Sequence, residues 1–216
     1  MTCPEFTKIA LETLTNEEDK VMKFVEEETK SQLITQLVEK IVINNAERLI
    51  RNTEMSVDYM LKNNQTSELN MLTKLFSRNE RTFYLIIEKL KPFIVSKGKL
   101  LKKTELIANP IKYIKALIAL KKEMDELILE AFDNKEQFVS ANIEAFESIM
   151  ESFELIPKFL AYYFDDLMRR ELKGKENKME PLIDEAFEFF KMLKAKDAFT
   201  EYHKVTLLLP LEFICC

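Results

Sequence analysis

Along "NPIKYIKALIALKKEMDELILEAF" the apolar residues Tyr113, Leu117, Leu120, Met124, Leu127 and Ala131 recur at steps of three and four, and Lys115, Lys121, Lys122, Glu126 and Glu130 fall largely off that line. One apolar stripe with a period near 3.6 predicts a helix buried on one face. Asn109 supplies a cap for its start, and Pro110 takes the first helical position, where a missing N–H costs nothing. Asp133 and Asn134 offer a break. The next helix, roughly residues 135–153, turns Phe138, Ala141, Ala145, Ile149 and Phe153 inward. Pro157 opens another, with Leu160, Tyr163, Phe164, Leu167 and Met168 inward, and Gly174 suits the left-handed position just past its end. A fourth begins near Pro181 and buries Leu182, Ala186, Phe190 and Leu193, and a fifth starts near Lys196 with Phe199 and Tyr202. The first half has the same texture, with helices predicted over residues 4–14, 17–29, 31–51, 55–62 and 68–95.

Composition narrows this to an all-α chain. Only two glycines and six prolines occur in 216 residues, too few for the tight turns of a β-rich fold. A hydrophobic fraction of 47% with 32% charged residues is a globular balance, and the length suits one domain or two small ones. The net charge of −5 opposes a general nucleic-acid binder, which draws on excess Lys and Arg. The basic run "KGKLLKK", residues 97–103, reads as a solvated interhelical loop because Gly98 interrupts the helix pattern and no aromatic residue interleaves for base stacking. No apolar run approaches the roughly 20 residues that span a bilayer, and the N-terminus lacks the charged-then-apolar order of a signal peptide. Cys3, Cys215 and Cys216 form no paired framework, which fits a reducing compartment, cytoplasmic or nuclear.

Candidate chemistry is sparse. His203 is the single histidine and has no ligand partner at helical spacing, so a surface position is expected and no metal site. Asp165 with Arg169 and Asp166 with Arg170 are i, i+4 pairs on one helix, expected as a solvated face worth about 0.2–0.5 kcal/mol each. Glu26, Glu27 and Glu28 are likewise expected on a polar helix face. Neither a phosphate loop nor a nucleophile motif occurs, so no catalytic, cofactor-binding or metal residues are assigned and no cofactor is expected. The residues alone leave open a scaffold, an unrelated helical adaptor or tether, and a small helical enzyme.

The second half carries more than periodicity. "NPIKYIKALIALKKEMDELILEAFDNKEQFVSANIEAFESIM" resembles the cullin segment in which an Asn-Pro start leads through "LLxLKxKxD" to "FNND..F..A....FE.F". "IPKFLAYYFDDLMRRELKGK" is similar to the cullin "SPExLSxYIDDxLRKGxKG", and "LIDEAFEFFKMLKAKDAFTEYHK" to "LDKxMxLFRYxxxKDVFExYYK". More faintly, "EEDKVMKFVEEETKSQLITQLVEKIVINNAERLI" and "YMLKNNQTSELNMLTKLFSR" resemble the preceding cullin repeat with its "DLxxMYxLFSR" element.

The details lean towards cullins that carry BTB-domain adaptors, with the DDB-adaptor type second. The resemblance implies two consecutive five-helix cullin repeats forming an elongated stalk: residues 1–105 like the second repeat, 106–206 like the third, and 207–216 a divergent tail. It also implies a non-catalytic scaffold of a cullin-RING ubiquitin ligase. The partners it implies are proteins of that ligase and a regulator that wraps the stalk, with no nucleic acid and no membrane. The departures from the family are expected to mark a shortened form, lacking the adaptor-binding repeat and the RING-binding, modifier-bearing region. "VTLLLPLEFICC" stands where cullins continue into "HLAxRLL". The terminal Cys215-Cys216 resembles a lipidated end, but no polybasic stretch adjoins it.

Overall fold

Thr2 opens the first helix, α1 (Cys3–Phe24), with a reciprocal cap: its hydroxyl accepts from the Glu5 N–H at 3.4 Å, and the Glu5 carboxylate accepts from the Thr2 N–H at 2.9 Å. Two donors that a helix start leaves over are thereby satisfied, and the Thr2 N–H holds the Glu5 carboxyl below the usual carboxylate range. The computed structural model describes residues 2–51, 56–102, 105–171 and 180–208. After α1 come α2 (Glu27–Val38), α3 (Asn44–Arg51), α4 (Val57–Lys62), α5 (Thr66–Phe76) and α6 (Glu80–Leu101). They are followed by α7 (Pro110–Phe132), α8 (Glu136–Glu151), α9 (Ile156–Glu171), α10 (Glu180–Met192) and α11 (Lys196–Leu208). No strand occurs among the described residues, so the fold is all-α. Gly174, Pro210, Cys215 and Cys216 lie outside the described residues.

Four boundaries differ from the sequence reading. Helix α1 runs unbroken through Thr15 and Asn16, because the Thr15 hydroxyl donates back to the Leu11 carbonyl at 2.9 Å and does not divert the backbone. The break falls later, where Val25 turns extended at φ −111° and ψ 144°. Between α2 and α3 the turn Glu39–Ile43 is a π-helix, and the Asn45 side-chain amide donates to the carbonyls of Lys40 (3.2 Å) and Ile41 (3.1 Å). The long helix expected over residues 68–95 is two helices: Asn79 caps α6 by accepting from the Thr82 N–H, and the buried Thr82 hydroxyl donates to Phe76 C=O at 2.9 Å. Finally, Gly98 is no loop residue. It is buried within α6, which carries residues 97–101 of the basic run.

The chain divides into two compact units, residues 1–93 with 125–141, and residues 94–124 with 142–216. In the first, Leu14, Val42, Met60, Leu61, Leu69, Leu72, Leu75 and Phe76 are fully buried. Phe132 stacks on Phe138 at 4.1 Å, and Phe83 meets Phe138 edge-on at 5.2 Å. The α7–α8 turn places Asp133 and Asn134 in the left-handed region at φ 51° and 52°, a conformation Asp and Asn tolerate better than most residues. Asn70 fastens that turn, donating to the Asp133 carboxylate at 3.0 Å.

In the second unit, α11 packs along α9, and Phe199 lies edge-on to Phe164 at 5.5 Å. Phe146 meets Phe189 edge-on, and Lys122 pairs with Glu185 at 2.7 Å. Helices α6 and α8 meet at Gly98, where a Cβ would stand 2.5 Å from Ile149 Cδ1 and 2.9 Å from its Cγ2. Alanine would gain about 1 kcal/mol of helix propensity there but would overpack the contact at about 1–3 kcal/mol. Gly98→Ala should therefore lower stability by about 1 kcal/mol, a melting shift of roughly 2–4 °C for a chain of this size. In an Ile149→Ala background the same change should become stabilising. Urea unfolding of the four proteins checks this, and Gly98→Ala with the same sign in both backgrounds would refute the steric account.

Candidate functional site

Most of the residues that carry candidate chemistry lie in the second unit, several of them engaged in packing. His203 is half-buried on α11, its ring stacked on Phe199 at 5.5 Å and 19°, so it is not the surface residue the sequence implied. Asp165 is only 4% exposed, and its carboxylate accepts from Arg169 Nε at 2.7 Å. The pair has the expected i, i+4 spacing but is not a solvated face: α9 turns Asp165 towards the packed side, where Phe164 and Leu167 are also buried. The matching pair to Asp166 depends on the Arg170 side chain, which lies outside what the structure describes. In the first unit, Glu26 precedes α2 and Glu27 pairs with Lys30 at 2.6 Å, placing acidic charge at a helix start where the dipole favours it. Of the basic run, Lys97 pairs with Glu123, and Lys102 donates to the carbonyl and hydroxyl of Ser152. Burial and then Lys99 push the Lys102 ammonium down from its ordinary value. Among the described residues no three His, Cys, Asp or Glu side chains gather to hold a metal ion.

What the geometry brings together instead is a small pocket. The end of α8, the start of α9 and the α10–α11 connection enclose about 300 Å³, with Met150, Phe153, Pro157 and Leu193 as its apolar wall and Ala198 at the lip. Glu151, Glu154 and Lys194 stand on its rim, and Glu151 pairs with Lys194 and holds the lysine above its ordinary value. This is the small end of the range for ligand sites, roughly 300–1,000 Å³, and it suits one apolar side chain. Its residues come from four helix ends, so no local motif announced it.

Behind the Phe153 wall lies an aromatic triangle: Tyr113 meets Phe153 at 5.4 Å and Phe159 at 5.7 Å, all edge-on. Tyr113 is fully buried, and its hydroxyl finds no hydrogen-bond partner. Burial pushes that phenol up to about 12.

Residues 1–208 match the family model of the cullin alpha solenoid domain, so the chain belongs to the cullin family and its all-α fold is a helical repeat. Cullin-3B of Arabidopsis thaliana is 24% identical over 204 residues, covering 94% of this chain and 28% of the relative. Cullin-3 of Dictyostelium discoideum is 23% identical over 204 residues, covering 94% and 26%. Cullin-4A of Mus musculus is 23% identical over 206 residues, covering 93% and 26%. The chain thus spans little more than a quarter of the length of these curated relatives. Among the described residues no helix is long and apolar enough to cross a membrane.

The orphaned hydroxyl gives a test of whether Tyr113 serves packing alone. A buried donor without a partner costs about 1–3 kcal/mol, so Tyr113→Phe should stabilise the protein by about 1 kcal/mol. The folded phenol ionises above its unfolded value, so native stability is lost as pH rises from about 10 towards 12. The phenylalanine variant should lose less over that window. Chemical melts of both proteins at pH 8 and near pH 11 measure the two effects. A destabilised variant would show that the hydroxyl has a partner.

Proposed function

We propose that the chain is a non-catalytic scaffold segment of a cullin-RING E3 ubiquitin ligase, acting as a spacer within the stalk in ubiquitin-dependent protein degradation. One observation carries this reading: the cullin alpha solenoid match takes in residues 1–208, nearly the whole sequence. The geometry supports it, since His203 and Asp165, the groups a catalytic story would recruit, are taken up by a ring stack and a buried ion pair. In this reading residues 1–105 and 106–206 are successive cullin repeats, and the working compartment is the cytoplasm, the nucleus or both.

The partners are proteins of the ligase, together with a regulator that wraps the stalk. The adaptor type is the BTB-domain type to which the sequence leans. A cullin promotes transfer by proximity: it holds the ubiquitin carrier and the substrate on one body and so raises their effective concentration. A spacer contributes fixed distance and orientation, and the chemistry stays with the proteins at its ends.

These 216 residues alone should therefore neither retain the RING protein nor support ubiquitin chain formation, while still competing for a regulator that grips the stalk. A pull-down from cell extract with a reconstituted transfer assay tests this. Capture of the RING protein with ubiquitin chains formed would overturn the spacer assignment. A regulator captured without the RING protein would support it.

A further inference from the structure

The first unit carries an apolar knob at the corner between α1 and α2. Helix α1 ends at Phe24, where Val25 turns extended and its N–H returns to the Val21 carbonyl at 3.1 Å. Val21 is buried in that last turn, whereas Met22 is 58% exposed and Phe24 83%, the highest value of any large apolar side chain among the described residues. Lys23 stands between them, exposed and without an ion-pair partner among the described residues. A lone apolar side chain on a surface is ordinary. A phenylalanine held this far into water at a helix corner, beside an exposed methionine and an unpaired ammonium, instead has the make-up of an interface anchor: a rigid aromatic group set among polar residues.

The pocket of the second unit has the complementary make-up. Its volume of about 300 Å³ takes one apolar side chain, and Phe153, Met150 and Pro157 give it a ring, a thioether and a flat aliphatic face, all good surfaces for an aromatic guest. On its rim the Lys194 ammonium is paired with Glu151, while the exposed Glu154 has no ion-pair partner among the described residues. Three further lysines adjoin pocket residues and are engaged elsewhere: Lys102 on the Ser152 carbonyl, Lys158 over the Tyr162 ring and Lys196 over the Phe190 ring. The charge left over at the mouth is therefore negative, the sign opposite to Lys23.

We propose that the chain associates with a second copy of itself, the Phe24 side chain of one copy entering this pocket of the other and Lys23 of the first meeting Glu154 of the second. Glu26, which follows Val25, then has Lys194 on the same rim to answer it. Knob and pocket belong to different surfaces of one chain, so each copy offers one of each. The contacts run on as a chain of copies or close into a ring or a reciprocal pair. A contact built on one anchor and one charge pair belongs with the small, weak interfaces below about 1,200 Å². It forms at high protein concentration, and salt weakens its charged part. While it lasts, the pocket is closed to any other partner.

Sedimentation equilibrium of the full chain tests this, with the cysteines kept reduced so that none cross-links two copies. The weight-average mass should climb above that of a single chain as concentration rises. Phe24→Ser removes the knob, and Ala198→Arg shuts the pocket lip and repels Lys23. Each variant should stay at the mass of one chain with its helical circular dichroism unchanged. Mixed in equal amounts the two should associate, because the first keeps the pocket and the second keeps the knob. Lys23→Glu and Glu154→Lys, both at exposed positions where folding is not at stake, should each weaken association several-fold, and the chain carrying both should regain it. A natural chain that stays single at every concentration would overturn the proposal. So would a Phe24→Ser chain that self-associates as the natural one does, or a mixture of the two variants that stays silent.

Discussion

A short helix does not hold its shape in water unaided. Nucleation is costly enough that isolated helices below about 12–15 residues are marginal even with good sequences. Several helices here are shorter, α4 having six residues and α3 eight. Each persists because one stripe of it is removed from water by its neighbours, as Val57, Met60 and Leu61 are for α4 and Ala46, Leu49 and Ile50 for α3. Everything else in the molecule follows from this mutual dependence. Residues that break a helix intrinsically are admitted where they improve a contact, and polar side chains such as Asn45 and Thr82 spend their hydrogen bonds on backbone groups that irregular turns leave over.

How much of this was legible depended on whether the deciding interaction was local. The stripe on α7 was readable because six positions repeat within one helix, and Tyr113, Leu117, Leu120, Met124, Leu127 and Ala131 are all buried as the period demands. The Asn109 cap is equally local, its side-chain oxygen accepting from the Lys112 N–H at 3.0 Å. The errors arise where a residue's usual habit is overruled from a distance. Gly98 reads as a breaker until Ile149, 51 positions later in the sequence, needs the space a side chain would fill. Residues 15 and 16 read as a break between two helices until the Thr15 hydroxyl turns back onto its own helix. Asp165 reads as solvated because an i, i+4 ion pair looks the same in sequence whether its helix face is wet or packed.

The candidate site was illegible for the same reason, carried further. No two walls of the pocket come from the same helix segment, and its defining property is the apolar surface that Met150, Phe153 and Leu193 leave uncovered. Periodicity shows which face of a helix turns inward and does not show whether the ends of four helices meet closely. The proposed function was legible only through family likeness, because a spacer would offer no convergent acids, bases or ligands to be recognised by. The ordered match of three segments carried more information than any residue within them.

The proposed spacer role would place a particular demand on the packing of this chain. To set distance and orientation it must admit one arrangement of helices and resist sliding to another. Apolar faces of similar size tolerate such slippage, whereas interlocking shapes and fixed polar contacts oppose it. Gly98 against Ile149 supplies the first kind of lock: the space left by the missing side chain receives the isoleucine. Asn70, tied to both Asp133 and the Ala131 carbonyl, supplies the second. With only two glycines in 216 residues, one of them consumed in a helix contact, the chain has few inexpensive hinges. Scarcity of glycine, read first as an argument against β-structure, is thus also what a rigid helical spacer requires.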